Sequence, residues 1–343
     1  METETATHRD LLVAKATKNV TDILTIAIEK KAHERVLVVY DKEYELTEII
    51  TEAYRNAVPD AEFIDFNAVT KDVVISAFDA MSPRDIVVLI QSTDFRLNEF
   101  RIRIHLFQKK LKVIDHLHLV RNTPDSWETY INAIAYDPDW YRTMGHRLKF
   151  ILENTSELQI ETDQTVLKVT GGLEIPKLNI GDYTGMENIG GTFPIGEVFT
   201  EAKNLENMNG SILVYSFAGT DYNTAMHEPF RVDIKDGIVT GWSDNAPTLF
   251  SEIVALVKTN ERAIIREIGF GLNRAITREQ YLKDITAFER ILGLHVSLGE
   301  KHTVYKKQGI TADKTRFHVD LFPVVHKVYA DGKLIFDDGK YTL

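Results

Sequence analysis

Histidines and carboxylates stand at awkward places in the second half of this 343-residue sequence. In Phe317-His318-Val319-Asp320-Leu321-Phe322, polar and apolar residues alternate. The two-residue period of a strand puts His318 and Asp320 on one face, where they offer a nitrogen and an oxygen to a single ion. An exposed polar face is the plainer alternative. His295 lies among apolar residues in Ile291-Leu-Gly-Leu-His295-Val-Ser-Leu-Gly299, either as a satisfied core residue or as a ligand. Glu267 interrupts the apolar run Ala263-Ile-Ile-Arg-Glu267-Ile-Gly-Phe-Gly271. Burying a carboxylate is costly unless it is paired or holds a metal. Its neighbour Arg266 is poorly placed to pair with it, because consecutive strand residues face opposite ways. Glu197 follows Gly190-Gly-Thr-Phe-Pro-Ile-Gly196, whose glycines and proline fix the backbone ahead of it as rigid functional loops do. A solvated turn residue is the alternative there.

Together Glu197, Glu267, His295, His318 and Asp320 supply three carboxylates and two imidazoles. The sequence has no cysteine, so disulfides, thiolate zinc sites and a cysteine nucleophile are excluded. The donor set suits Zn²⁺, Co²⁺, Mn²⁺ or Fe²⁺. Three carboxylates carry more charge than one divalent ion requires, so one of them bridges two ions or serves as a base. A two-metal hydrolytic centre with a metal-activated water follows. His116 and His118, two apart at a strand end, and His227 in a loop are further possible ligands or cleft residues. Ordinary polar positions are the alternative for all three.

The elements that position these groups fall into two patterns. In the first half, an amphipathic helix over residues 10–31 precedes four short apolar runs near residues 35–41, 61–66, 85–91 and 111–116, with helical stretches between them. Strand, helix, strand is the βαβ grammar of a parallel sheet covered by helices. The glycine-rich phosphate loops of nucleotide-binding folds are absent after every one of these strands. Beyond about residue 152 the segments alternate and are separated by Gly, Asn and Asp turns, with Asp236-Gly237 and Asp331-Gly332 as hairpin turns. One helix, capped at Thr277, is expected over residues 277–294. The fold class is therefore α/β, an N-terminal parallel-sheet α/β domain over residues 1–155. A mixed, largely antiparallel α+β domain over residues 156–343 follows it and carries the metal site.

The formal charge is −11, from 40 Lys+Arg against 51 Asp+Glu. With the basic residues scattered, nucleic acid is not an expected partner. The longest apolar runs fall far short of a membrane span, and the polar opening lacks the pattern of a secretory signal. A cytoplasmic protein is expected.

Phe193-Pro-Ile-Gly-Glu197-Val-Phe-Thr200 resembles the Leu-Pro-x-Gly-Glu-Val-Phe-Thr segment of the thermophilic leucyl aminopeptidases of the aminopeptidase T and S type, a family of dinuclear metallopeptidases. His295-Val-Ser-Leu-Gly299 is similar to their His-x-Ala-Leu-Gly segment, and His318-Val-Asp320-Leu-Phe to their His-x-Asp-Phe segment, in the same order along the chain. Glu267 falls where that family has its second glutamate, and Phe288-Glu289 where it has an aromatic-acidic pair. The resemblance is specific over residues 190–343. It implies a metallo-aminopeptidase, a hydrolase acting on peptides, with two divalent ions (Zn, Co or Mn) held by Glu197, Glu267, His295, His318 and Asp320. Glu197 or Glu267 would be the catalytic base. The family tyrosine that approaches the metals seven residues after the first histidine is replaced by His302, a further candidate ligand, with Tyr305 nearby. A homodimer is implied as well. The ring-cleaving dihydroxypyridine dioxygenases, which use one Fe(II) held by two histidines and an aspartate, have a similar fold and are the alternative. A non-catalytic scaffold is the third reading.

Overall fold

Residues 6–97, 101–302, 304–311 and 314–343 are described in a computed structural model; the polar opening, residues 1–5, lies outside them. Helix α1 (His8–Asp22) begins at a capping box, in which the Thr7 hydroxyl accepts from the Asp10 backbone N–H and the Asp10 carboxylate accepts from that of Thr7. It runs on as a π-helical turn over Ile23–Ala27. Strands β1 (Val36–Tyr40), β2 (Glu62–Asp65), β3 (Ile86–Ile90) and β4 (Lys112–His116) pair in parallel in the order β2-β1-β3-β4. Every residue of β1, β3 and β4 is buried, as expected for parallel strands covered on both faces. The connecting helices are α2 (Glu45–Ala57), α3 (Lys71–Asp79) and α4 (Ile102–Gln108). In α2 the buried Leu46, Ile49, Ile50, Ala53 and Tyr54 recur at helical spacing on one face.

Helices α5 (Trp127–Ala133) and α6 (Pro138–Glu153) precede three short strands, β5 (Glu157–Glu161), β6 (Val166–Thr170) and β7 (Lys177–Asn179). The chain then returns to the first sheet: β8 (Gly190–Phe193) pairs in parallel with β4. Gly190 has φ +95°, and a Cβ on it would stand 1.8 Å from the carbonyl oxygen of Val113. Only glycine meets both conditions.

From here the chain builds a second sheet. It adds β9 (Glu197–Glu201), β10 (Met208–Ala218), β11 (Thr224–Lys235), β12 (Ile238–Trp242), α7 (Thr248–Lys258) and β13 (Ile265–Gly271). After a single helical turn, α8 (Ile285–Phe288), come β14 (Gly293–Leu298), β15 (Val319–Pro323), β16 (Lys327–Ala330), β17 (Lys333–Asp337) and β18 (Lys340–Tyr341). The 13 strands run β18-β17-β16-β5-β6-β10-β15-β14-β13-β9-β7, with β11 and β12 extending from β10. The two Asp-Gly hairpins form as expected, with positive φ at both residues of each pair. The architecture is thus a parallel α/β sheet together with a mixed, largely antiparallel α+β part. Among the described residues no helix is long and apolar enough to cross a membrane.

Two expectations are corrected. The chain does not divide at residue 155. One compact unit comprises Met1–Arg142, Gly181–Ile195 and Arg278–Ala287, and the other Thr143–Ile180, Gly196–Thr277 and Phe288–Leu343. The first unit recruits the later segments for physical reasons. β8 supplies the edge of its sheet, and Asp284 accepts from Arg121 at 2.6 Å and lies 3.2 Å from His118. The helix expected over 277–294 shrinks to α8, and the backbone beyond it is paired elsewhere: the Arg290 carbonyl accepts from the Asn273 N–H and the Leu292 N–H donates to the Ile276 carbonyl. His295 therefore lies inside a strand and not beyond a helix end.

Candidate metal centre

Four neighbouring strands, β15, β14, β13 and β9, set the register of the acidic and imidazole side chains. Ser297 stands opposite Asp320, His295 opposite Gly269, Glu267 opposite Glu201, and Glu197 opposite Gly271. A Cβ at Gly269 would come within 2.1 Å of the His295 ring, so the missing side chain is what gives that ring its place. Between Ile265 and Ile268 the register slips by one residue, a bulge of the kind that re-aims side chains beside functional sites. Arg266 and Glu267 occupy it, and the Glu267 backbone N–H donates to Ser297 Oγ at 3.0 Å. Past β14, Gly299 (φ +113°) lets the backbone approach Phe317, and the Lys301 N–H donates to the Phe317 carbonyl. This pairing brings His302 and His318 to the same carboxylate.

Glu267 is the hub. Its Oε2 is 2.6 Å from His302 Nε2, and its Oε1 is 3.4 Å from His295 Nε2 and 3.9 Å from His318 Nε2. His318 Nε2 also lies 3.2 Å from Asp320 Oδ1, while its Nδ1 donates to the Lys301 carbonyl at 3.1 Å. That bond fixes the tautomer and turns Nε2 to the cluster. His302 Nδ1 accepts from the Val304 N–H, so its Nε2 carries the hydrogen donated to Glu267. Glu197 is buried; its Oε1 is 3.4 Å from His295 Nε2, and its Oε2 accepts from Arg290 Nη1 at 2.5 Å. The same Arg290 nitrogen is 2.7 Å from Glu289 Oε1.

Three groups have ligand atoms close enough to share an ion: Glu197, Glu267 and His295; Glu267, His318 and Asp320; and Glu289, His295 and Asp320. Glu197 Oε1, His295 Nδ1 and Asp320 Oδ1 are buried with no hydrogen-bond partner. Burial works against charge on His295, but Glu267, Asp320 and Glu197 lift it to about 9. Burial likewise opposes charge on His318, and Asp320 and Glu267 raise it to about 10. Burial pushes Glu289 up to about 8 and also raises Glu197, in both cases against Arg290. For Glu267, burial is outweighed by the hydrogen bonds from His295 and His302, which hold it below the usual carboxylate range.

No family profile matches the sequence, and no curated protein is significantly similar to it. Solved structures do match. 2,5-Dihydroxypyridine dioxygenase from Pseudomonas putida KT2440 superposes with a TM-score of 0.64 at 14% identity, over 96% of this chain and 97% of that one. AmpT from Thermus thermophilus superposes with a TM-score of 0.61 at 11% identity, over 96% of this chain and 99% of that one. The likeness is one of fold.

Within that fold the five residues singled out by sequence, Glu197, Glu267, His295, His318 and Asp320, come together. His302 also reaches Glu267 but belongs to none of the three groups. It further lies 3.5 Å from Glu201, which pairs with Arg266 at 2.8 Å. Arg266 thus leaves Glu267 unneutralised, as expected, although the reason is a separate buried partner. Tyr305 donates to the Ile175 carbonyl. His227 stacks on Phe217, with ring centroids 4.8 Å apart. His116 lies between the hydroxyls of Tyr54 and Tyr130, at 3.0 and 2.9 Å, and burial lowers its pKa to about 3. His118 is flanked by Asp94 and Asp284. None of His116, His118 and His227 belongs to the candidate groups among the described residues. Sequence reasoning missed Arg290 and the ligand-type placement of Glu289, because a helix was expected there.

Proposed function

We propose that this chain is a metal-dependent aminopeptidase that binds two divalent ions and hydrolyses N-terminal residues from peptides. The observation that carries this reading is the sharing of Glu267 by two of the three ligand groups. One carboxylate standing between two ligand sets is what a two-ion site needs. The donor chemistry fits the group, since carboxylates and imidazoles without thiolates suit Zn²⁺, Co²⁺ or Mn²⁺, and three buried ligand atoms have no hydrogen-bond partner.

Glu267, His318 and Asp320 would hold one ion, and Glu197, Glu267 and His295 the other. Divalent ions held there would supply Lewis-acid chemistry, activating a water near neutral pH and polarising a scissile carbonyl. The chain's own groups do the rest. His302 holds Oε2 of Glu267, and Lys301 orients His318. Glu197 has one oxygen on Arg290 and the other in the ligand set, and both oxygens of Glu267 lie against histidines. Whichever of Glu197 and Glu267 is not fully engaged as a ligand would accept the proton and return it to the leaving amine. The surplus of carboxylates suits the α-ammonium of a free N-terminus.

The dioxygenase alternative calls for two histidines and one carboxylate on a single iron. Each of the three groups instead has one histidine and two carboxylates, which favours the hydrolase. The test is elemental analysis of protein purified without a chelating tag, followed by a panel of amino-acid anilides. Close to two Zn, Co or Mn per chain is expected, with hydrolysis and metal retention both lost in His318→Ala and Asp320→Ala while circular dichroism is unchanged. One iron per chain with ring-cleaving activity, or full hydrolysis in either variant, would overturn the reading.

A further inference from the structure

The three ligand groups do not meet the same charge. Arg290 is buried, and its Nη1 bridges Glu197 Oε2 and Glu289 Oε1. Glu197 belongs to the group with Glu267 and His295, and Glu289 to the group with His295 and Asp320. The remaining group, Glu267, His318 and Asp320, contains neither of its partners. A fixed guanidinium thus abuts one side of the cluster directly and reaches Glu267 and Asp320 on the other only at longer range. Arginine keeps its charge at every accessible pH, and in a buried setting its repulsion of a divalent ion is far less screened than in water. It also occupies one of the two oxygens of Glu197.

Resting on the two-ion reading above, we propose that Arg290 is a positioning residue that makes the two metal positions unequal. The position of Glu267, His318 and Asp320 fills first. The position of Glu197, Glu267 and His295 fills second and more weakly, and the Glu289–Arg290 pair sets the gap. Glu289 in its ionised form offsets the guanidinium, so the two residues then act on the weaker step in opposite senses. A role in packing alone has no such sign.

The test is titration of metal-free, full-length protein with Zn²⁺ against a competing chelating dye, resolving the two dissociation constants. Wild type is expected to bind in two steps at least about tenfold apart. Arg290→Gln should tighten the weaker step by about tenfold or more and move the tighter step by less than about threefold. Glu289→Gln should weaken the weaker step by a similar factor, and Arg290→Lys, which restores the charge, should restore the wild-type gap. Two equal steps in wild type would overturn the proposal. So would an Arg290→Gln weaker step that is unchanged or looser, or one that is unchanged or tighter in Glu289→Gln. Should Arg290→Gln fail to fold by circular dichroism, the direction of change in Glu289→Gln decides alone. A wild-type protein that takes up no Zn²⁺ defeats the two-ion reading itself, whereas two ions bound without these shifts defeats only the role of Arg290.

Discussion

The imidazoles of His295, buried, and His318, half-buried, tie this protein's stability to pH in a direction that follows from their surroundings. In the metal-free chain His295 is lifted to about 9 and His318 to about 10 from an ordinary value of 6.5. A group raised on folding contributes stability that is fully present below its unfolded pKa and is lost as the pH rises through the folded one. The metal-free protein should therefore lose stability between about pH 6.5 and pH 10. Raised Glu197 and Glu289 push the same way from lower pH. Glu267, held low, contributes stability above its ordinary 4.5 that is lost as the pH falls. Thermal melts in chelator across pH 6.5 to 9.5 should show Tm falling by about 3 °C or more, a change of about 2 kcal/mol for a chain of this size. Saturating Zn²⁺ should remove or reverse the trend, because ligation needs the neutral imidazole. A flat or rising Tm without metal would mean that these histidines are not charged in the fold. The pairing of His318 with Asp320 was legible because strand alternation is a local property. Arg290 and Glu289 were not, since what matters is that one nitrogen of Arg290 reaches Glu197, 93 residues away.

The strands around the centre depend on glycine where two chains need the space of one side chain. Gly269 faces His295 across the β13–β14 ladder, and any Cβ there enters the imidazole ring. Gly269→Ala should displace His295 from Glu197 and Glu267. The expected result is a loss of about 1–3 kcal/mol in the metal-free fold from overpacking, together with a metal affinity at least about tenfold lower. Denaturant melts in chelator and dye-competition titration check the two effects separately. Wild-type affinity in this variant would mean that His295 is not a ligand. The sequence made the apolar strands β1, β3 and β4 plain, because burial on both faces writes an unbroken apolar run. It hid β8, since Gly190-Gly-Thr-Phe193 has neither an apolar run nor alternation and is held in the sheet by pairing with β4. It also suggested a helix over 277–294 that does not form, because that segment's apolar residues are buried in a mostly irregular stretch and Asp284 is claimed by Arg121 and His118. Local propensity is a weak prior where tertiary contacts of this kind compete.

The chain crosses between its two compact units five times, at 142/143, 180/181, 195/196, 277/278 and 287/288. A cut at the place where the sequence pattern changes therefore cannot yield a whole unit. A fragment of residues 1–155 would keep β1 to β4 but lose β8, exposing the backbone edge of β4, a strand whose five residues are all buried. It would also lose Asp284, the buried partner of Arg121 and His118. An open edge of this kind is a template for pairing with other chains. The fragment should be poorly soluble or self-associated in size-exclusion chromatography, whereas a fragment extended to residue 195, which regains β8, should be markedly more soluble. Equal behaviour of the two fragments, both monomeric with cooperative melts, would show that the parallel sheet does not need its fifth strand. The same connectivity bears on the candidate metal centre. Glu197 is the second residue past one crossing and Glu289 the second past another, so the candidate ligand groups come from segments interleaved with those that complete the parallel sheet, and neither half of the sequence can be removed without cost to the other.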